Sequence, residues 1–275
     1  MPSLLRARGV EVLETRLVEE RDQVCKAVRR AIKQKVRLIV VCGGDGTQTS
    51  VVPFLPIAGT PWASYRGTGN SFALGLGIDS FESAADAIAY GHERRVDLGV
   101  ANGTYFANFL TVGLPAQVAA ETPRELKSAI GPAAYAVAAV VPLLTHRPFR
   151  VDIRWKRHRV RARTHQVIAA NGRFYGHQAL SPEATVTDGK MTVFVRNRAS
   201  KLDMIQTYLA LVRGEQQSLS DVSLWSTSKA LEIRTKPKVA VSIDGCDFGT
   251  TPIRLRVAGH ALRVMTPGNV VDKTP

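Results

Sequence analysis

The stretch LIVVCGGDGT, residues 38–47, decides the fold. Leu38–Val41 is a continuous apolar, largely β-branched run, as expected of a parallel strand buried on both faces. Glycines follow at once. Successive residues without a Cβ let main-chain N–H groups converge on a phosphate where a strand turns into a helix. An Asp inside such a loop can hold a divalent cation bound to that phosphate. A plain strand-to-helix turn with a capping Asp is the competing reading of Asp45.

Working outward, Val24, Ala27, Val28, Ala31 and Ile32 follow the spacing of one face of an amphipathic helix. Val10–Leu13 reads as a short strand ahead of it. Strand, helix, strand and glycine turn together are the grammar of a nucleotide-binding α/β layer. A second turn, Gly67-Thr68-Gly69-Asn70, leads into SFALGLGI, where the Thr68 hydroxyl and Asn70 amide offer directional hydrogen bonds.

From about residue 97 the pattern changes to alternating segments: 105–112, 151–155, 166–170, 191–195, 230–233, 239–243 and 253–257. Asn102-Gly103, Asn171-Gly172, Asp188-Gly189 and Asp244-Gly245 punctuate them as turn dipeptides. Helical intervals fall around 126–144 and 202–212. The expected division is an α/β domain over 1–93 and a mostly antiparallel β domain over 94–275.

Composition narrows the function class. The chain has 275 residues, 37 Lys+Arg against 23 Asp+Glu, and a net charge of +14. Anionic partners follow from that surplus, but it does not choose among nucleic acid, phosphates and an acidic membrane face. Cys25, Cys42 and Cys246 are far apart with no zinc spacing, which points to free thiols in a cytoplasmic setting. The apolar stretch 129–144 is broken by Pro132 and Pro142 and falls short of the ~20 residues of a spanning helix. Eight of the cations lie between Arg147 and Arg163, with Asp152 the one acid among them. Their period-two spacing suggests a basic hairpin, either a solvated one or a surface for anionic lipid. No recognition helix or RNP-like motif accompanies them, so nucleic acid is not expected. Met204, Ile205, Tyr208, Leu209 and Val212, at helical spacing, read as core. The helix over 133–144 reads as packing for the β domain, with an opening for an acyl chain as the alternative.

GGDGT at 43–47, GTGNSFA at 67–73, VDLG at 96–99, YFANFLTVG at 105–113, NGRFYG at 171–176, SPEATVTDGKM at 181–191 and SIDG at 242–245 occur in one order. Together with Gly131 and Tyr135, this series resembles the diacylglycerol kinase catalytic-domain family of bacterial lipid kinases and sphingosine kinases. GGDGT alone is shared with NAD kinases and phosphofructokinases. The resemblance covers about residues 5–267. It implies a Rossmann-like α/β domain of NAD kinase/diacylglycerol kinase type followed by an antiparallel β-sandwich, with an active site between them. It also implies ATP- and Mg²⁺-dependent transfer of a phosphoryl group to a lipid hydroxyl, at the inner membrane face, by a protein compatible with homodimerisation.

By that resemblance Gly43, Gly44, Asp45, Gly46 and Thr47, with Gly67, Thr68, Gly69 and Asn70, cradle ATP, Asp45 facing phosphate and metal. Asp97 and Asp188 match metal-network positions, Lys127 supplies nearby charge, and Asp244 matches the general base. Read as residues alone, Asp188-Gly189 and Asp244-Gly245 are equally hairpin turns. The sequence departs from the family pattern at Thr49-Ser50, Ser71, Leu74, Pro115 and Cys246. The family's opening strand and Asn-Pro-x-Ser-Gly-like turn have no counterpart before LLRARG, so the expected nucleotide domain lacks its first strand. A catalytically impaired member that binds nucleotide or lipid without transfer is the alternative; a kinase of NAD is a further one.

Overall fold

The β-branched run forms a strand as expected: β1 (Ile39–Cys42) pairs in parallel with β2 (Trp62–Tyr65). The computed structural model describes residues 1–18, 20–43, 47, 50–55, 62–65, 71–122, 140–176 and 178–267. Ahead of β1 lie α1 (Pro2–Arg6) and α2 (Arg21–Lys33), the latter burying Val24 and Val28 on the face anticipated from spacing. Val10–Leu13 is not a strand. It makes no ladder among the described residues, and Val10 and Val12 instead pack with Leu38, Val40 and Met265 around Leu5 and Ile88.

After β2 come α3 (Ser71–Gly75) and α4 (Phe81–Tyr90). A reciprocal Ser80/Ser83 capping box starts α4 and satisfies N–H groups that its first turn leaves open. β3 (His92–Ala101) then changes character midway, exposed through Arg95 and buried from Val96 onward. It turns at Asn102-Gly103 into β4 (Thr104–Phe106), both turn residues having positive φ, +46° and +92°.

β5 (Phe109–Gly113), α5 (Leu114–Glu121), α6 (Val140–Thr145) and the β6–β7 hairpin (Phe149–Trp155, His158–Thr164) follow. β8 (Gln166–Asn171), β9 (Phe174–Tyr175), β10 (Gln178–Ala179) and β11 (Met191–Arg196) lead to α7 (Lys201–Arg213). The chain ends through β12 (Val222–Thr227), β13 (Leu231–Lys236), β14 (Ala240–Ile243), β15 (Cys246–Thr250) and β16 (Ile253–Thr266).

Two large sheets result. The first is eight-stranded, ordered β1-β2-β16-β13-β6-β7, with β3 on β16 and β4 on β3; the second is six-stranded, ordered β12-β11-β8-β5-β14-β15. Their facing sides enclose one apolar core containing Phe106, Leu110, Phe149, Ile153, Val193, Ile233 and Leu255. A second core, around Val41, Phe72, Leu76, Leu98 and Val264, fills the α/β half. β16 serves both. Its first half pairs with Leu98–Ala101 of β3 and its last half, from Leu262, with His92–Val96. The division expected near residue 93 therefore falls within a strand that runs on continuously to Ala101.

Close packing fixes this crossing. A Cβ built at Gly99 would stand 2.1–2.5 Å from the Phe106 ring. Gly99→Ala should cost about 1–3 kcal/mol through overpacking, read as a lower urea midpoint at unchanged slope.

A second stability determinant lies beyond α6. His146 contacts Gln117 Oε1 and the His165 carbonyl, each at 3.1 Å, and its pKa is pushed down to about 4 chiefly by burial; charge on His165 lowers it further while the His165 carbonyl opposes the shift. The folded form holds neutral imidazole, so this contribution is complete above the ordinary value of 6.5 and is lost as pH falls toward 4. His146→Gln should flatten the drop of the unfolding midpoint across that window, a term of order ~3 kcal/mol in the wild type.

Candidate functional site at the junction of the two halves

β3 and β16 lose register between Leu98, which faces Ala258, and Val96, which faces Leu262. Gly259, His260 and Ala261 therefore stand opposite Asp97 alone, with His260 at φ +52°. Such a bulge strips ladder partners from the backbone. Asp97 supplies what is missing. Its Oδ1 accepts the His260 N–H at 2.8 Å and its Oδ2 the Gly189 N–H at 2.7 Å, while its own N–H donates to the Val186 carbonyl at 2.7 Å. At 1% exposure it binds the 185–190 turn onto the strand crossing. Asp188 lies in that same turn, half-buried, accepting the N–H groups of Thr185 (3.2 Å) and Lys190 (2.8 Å).

Asp244 is built in the same manner. It and Gly245 occupy the β14–β15 hairpin turn with positive φ, +46° and +76°, so the turn reading of this dipeptide is correct. The carboxylate nevertheless does more than turn the chain. Ala107 N–H donates to Oδ2, and Asn108 and Phe109 N–H both donate to Oδ1, all at 2.9 Å. The Asp244 N–H returns to the Phe109 carbonyl at 2.9 Å. Three charge-assisted bonds favour the ionised form and fix its direction, and the residue is 3% exposed. They also explain why the expected strand 105–112 breaks in two: its N–H groups at 107–109 serve a side chain rather than a ladder.

Asn171 joins the two carboxylate positions. Its Nδ2 donates to the carbonyls of Asp97 and Ala107, both at 2.9 Å, and its N–H to the Asn108 carbonyl at 2.6 Å. These acceptors set the orientation of the amide. The Asn171 Oδ1 and Asn108 Nδ2 remain buried without protein partners, an acceptor and a donor that a water or a bound polar group can fill. Asn171 reads from sequence as part of a turn dipeptide and Asn108 is not singled out; it is as the last residue of β8 that Asn171 takes its bridging role.

Asp97, Asp188 and Asp244 are thus brought into one hydrogen-bonded junction. Of the glycine turns, Gly43 and Thr47 are described: a Cβ at Gly43 would lie 2.6 Å from Thr47 Oγ1, so the loop closes on itself where the glycine stands. Gly44, Asp45, Gly46, Gly67, Thr68, Gly69, Asn70 and Lys127 lie outside the described residues. Ser71, one of the expected departures from the family pattern, is buried and donates from Oγ to the Gly176 carbonyl at 2.8 Å, bonding the α/β half to the β half. Ser50 is likewise buried, its carbonyl accepting the Cys25 thiol at 3.4 Å. Leu74 and Cys246 are half-exposed, and Asp247 is exposed, its Oδ1 accepting the Gly249 N–H at 3.2 Å. Among the described residues no three His, Cys, Asp or Glu side chains converge as a metal cage. Mg²⁺ keeps several waters and needs only one or two carboxylates, which the Asp188 turn can supply.

An α/β layer joined by shared strands to an antiparallel sandwich, with carboxylates at the seam, defines an NAD kinase-like two-part architecture. Residues 1–101 match the diacylglycerol kinase catalytic domain and residues 108–266 the YegS C-terminal NAD kinase beta sandwich-like domain. The chain belongs to the diacylglycerol kinase catalytic-domain family. A Shewanella frigidimarina relative named "Probable lipid kinase YegS-like" is 28% identical, over 96% of this chain and 87% of its own. A Staphylococcus epidermidis diacylglycerol kinase is 27% identical, over 89% and 78%. A crystal structure of a Bacillus anthracis diacylglycerol kinase has a TM-score of 0.73 at 22% identity, covering 98% of this chain and 89% of that one, which establishes the shared fold.

The junction makes a stability prediction. Asn171→Ala leaves the Asp97 and Ala107 carbonyls without their amide donor and should lower unfolding free energy by about 2–4 kcal/mol, measured by urea titration.

Proposed function

We propose that this protein is a lipid kinase that transfers the γ-phosphoryl group of ATP to the hydroxyl of a lipid of diacylglycerol or sphingoid type. The observation that carries the reading is the Asp244 carboxylate, held by three main-chain N–H groups at the seam of the two halves. Phosphoryl transfer asks a protein mainly for alignment, charge neutralisation and a base near the acceptor hydroxyl. An ionised carboxylate locked in one direction meets the last requirement without reorganising during the reaction.

In this reading Asp244 accepts the proton of the lipid hydroxyl as its oxygen bonds to the γ-phosphorus. The bond between that phosphorus and the β–γ bridging oxygen breaks, and ADP leaves. Gly43–Thr47 and Gly67–Asn70 hold the nucleotide, with Asp45 turned to its phosphates. Mg²⁺, when bound, neutralises phosphate charge; Asp188 would hold it, and Asp97 fixes the turn that carries Asp188. The protein works at the cytoplasmic face of a membrane, where its acceptor resides.

A second reading has a specific observation in its favour. Ser71 spends its hydroxyl on Gly176, and Ser50 is buried, so two positions where the resemblance expects acids are absorbed into packing here. The protein would then bind nucleotide or lipid without transfer.

Incubation with labelled ATP, Mg²⁺ and a panel of diacylglycerol, sphingoid base, phosphatidylglycerol and NAD separates these readings. Label should enter a lipid, and Asp244→Asn should reduce that transfer roughly 10²–10⁴-fold while ATP binding persists. Asp45→Ala should abolish it. Label in NAD, ATP binding with no transfer, or an Asp244→Asn variant as active as wild type would overturn the kinase assignment or its base.

A further inference from the structure

Asp244 Oδ1 accepts two hydrogen bonds, from the N–H groups of Asn108 and Phe109, both at 2.9 Å. Each of those N–H groups shares a planar peptide with a carbonyl, and the carbonyl ends of both peptides meet the same residue. The Ala107 carbonyl, in the peptide that ends in the Asn108 N–H, accepts Asn171 Nδ2 at 2.9 Å. The Asn108 carbonyl, in the peptide that ends in the Phe109 N–H, accepts the Asn171 main-chain N–H at 2.6 Å. Two hydrogen-bonded peptides therefore run side by side from Asn171 to one oxygen of the carboxylate. The remaining donor described above, the Ala107 N–H on Oδ2, belongs to the peptide that begins at Phe106, a residue paired with Gly99 in the β3–β4 ladder.

A donor on a peptide carbonyl draws charge through the delocalised C–N bond and strengthens the N–H at the other end. Enclosure makes the effect matter: Asn108, Asn171 and Asp244 are buried, so bulk water does not screen it. The Asn171 side chain is given over to donation. Its second amide hydrogen goes to the Asp97 carbonyl at 2.9 Å, and its Oδ1 finds no partner among the described residues. Turning the amide over would set Oδ1 against two carbonyl oxygens, so its direction is fixed. Asp97 in turn holds the Gly189 N–H of the turn that carries Asp188. One amide thus sets the peptides behind Asp244 against the strand that fixes the Asp188 turn. An alanine at 171 keeps the main-chain N–H and the second peptide but loses the first peptide's donor and the tie to Asp97.

We propose that Asn171 is a positioning residue for phosphoryl transfer: acting through the 107–108 and 108–109 peptides, it aligns and strengthens the donors that hold Asp244 as the base. The proposal rests on the kinase reading of Asp244, and its test includes a measurement that needs no turnover. Full-length wild type is compared with Asn171→Ala and with Val193→Ala, a buried core variant on the neighbouring strand β11 that controls for lost stability. In isotopically labelled wild type, NMR should detect a through-hydrogen-bond coupling between Asn171 Nδ2 and the Ala107 carbonyl carbon. In Asn171→Ala the Asn108 amide proton should move upfield while those of Ala107 and Phe109 hold. Kinetics are read with ATP, Mg²⁺ and the lipid acceptor that the labelled-ATP panel identifies, at a temperature where circular dichroism shows all three proteins folded. Asn171→Ala should lose roughly 10–10²-fold in kcat with KM for ATP within about twofold of wild type. Val193→Ala should keep the wild-type kcat and the wild-type Asn108 shift. A wild type without the coupling overturns the proposal whether or not the alanine variant folds. So does a folded Asn171→Ala whose Asn108 amide is unmoved, or whose kcat matches that of Val193→Ala. A wild type that phosphorylates no acceptor, while the Asn108 amide still moves in Asn171→Ala, removes the kinase reading and leaves the alignment of Asp244 by Asn171 standing.

Discussion

The register break between β3 and β16 is the constraint on which the rest of the structure depends. Two strands long enough to serve both halves must change sheet curvature where the halves meet, and the bulge at 259–261 accomplishes that change. The bulge itself is exposed at Gly259 and His260, and it leaves the N–H groups there out of ladder register. One carboxylate, that of Asp97, accepts the His260 N–H of the bulge on one oxygen and the Gly189 N–H of the 185–190 turn on the other. The turn carrying Asp188 is thereby drawn to the seam, and the Asp97 carbonyl is left to Asn171.

From there the same device repeats. Asn171 couples Asp97 to Ala107, and the N–H groups following Ala107 close on Asp244. Side chains act as backbone partners at each step, so the positions of these carboxylates are set by the crossing of main chains rather than by flexible contacts. Rigid placement of that kind suits chemistry governed by alignment and charge. It also links stability and site geometry closely, because loss of a seam residue orphans buried backbone groups.

Much of this organisation was legible beforehand. The β-branched run at 38–41 and the face of α2 followed their periodicities, and the Asx-Gly dipeptides at 102–103 and 244–245 turned as their left-handed conformations require. The order of the motifs marked the family. What was hidden was long-range. β16 read as a five-residue strand at 253–257 because Ala258, Gly259 and His260 interrupt the alternation, and that interruption is the bulge itself. Val10–Leu13 has a strand's composition but makes no ladder among the described residues. Asp97 looked like a metal-site acid in VDLG; nothing local reveals that His260 and Gly189 donate to it. The outer face of α7 read as core since periodicity reports that a face is apolar, not what covers it.

Amide hydrogen exchange followed by mass spectrometry tests the seam most directly. Segments 106–109, 186–190 and 258–262 lie at turns and bulges, where exposed backbone exchanges quickly. They should exchange as slowly as the core strands β8 and β11, and Asp97→Asn and Asp244→Asn should each release protection at their own partners, 189 and 260 or 107–109. Fast exchange of these segments in the wild type, matching that of the solvent-exposed β6–β7 turn, would contradict it.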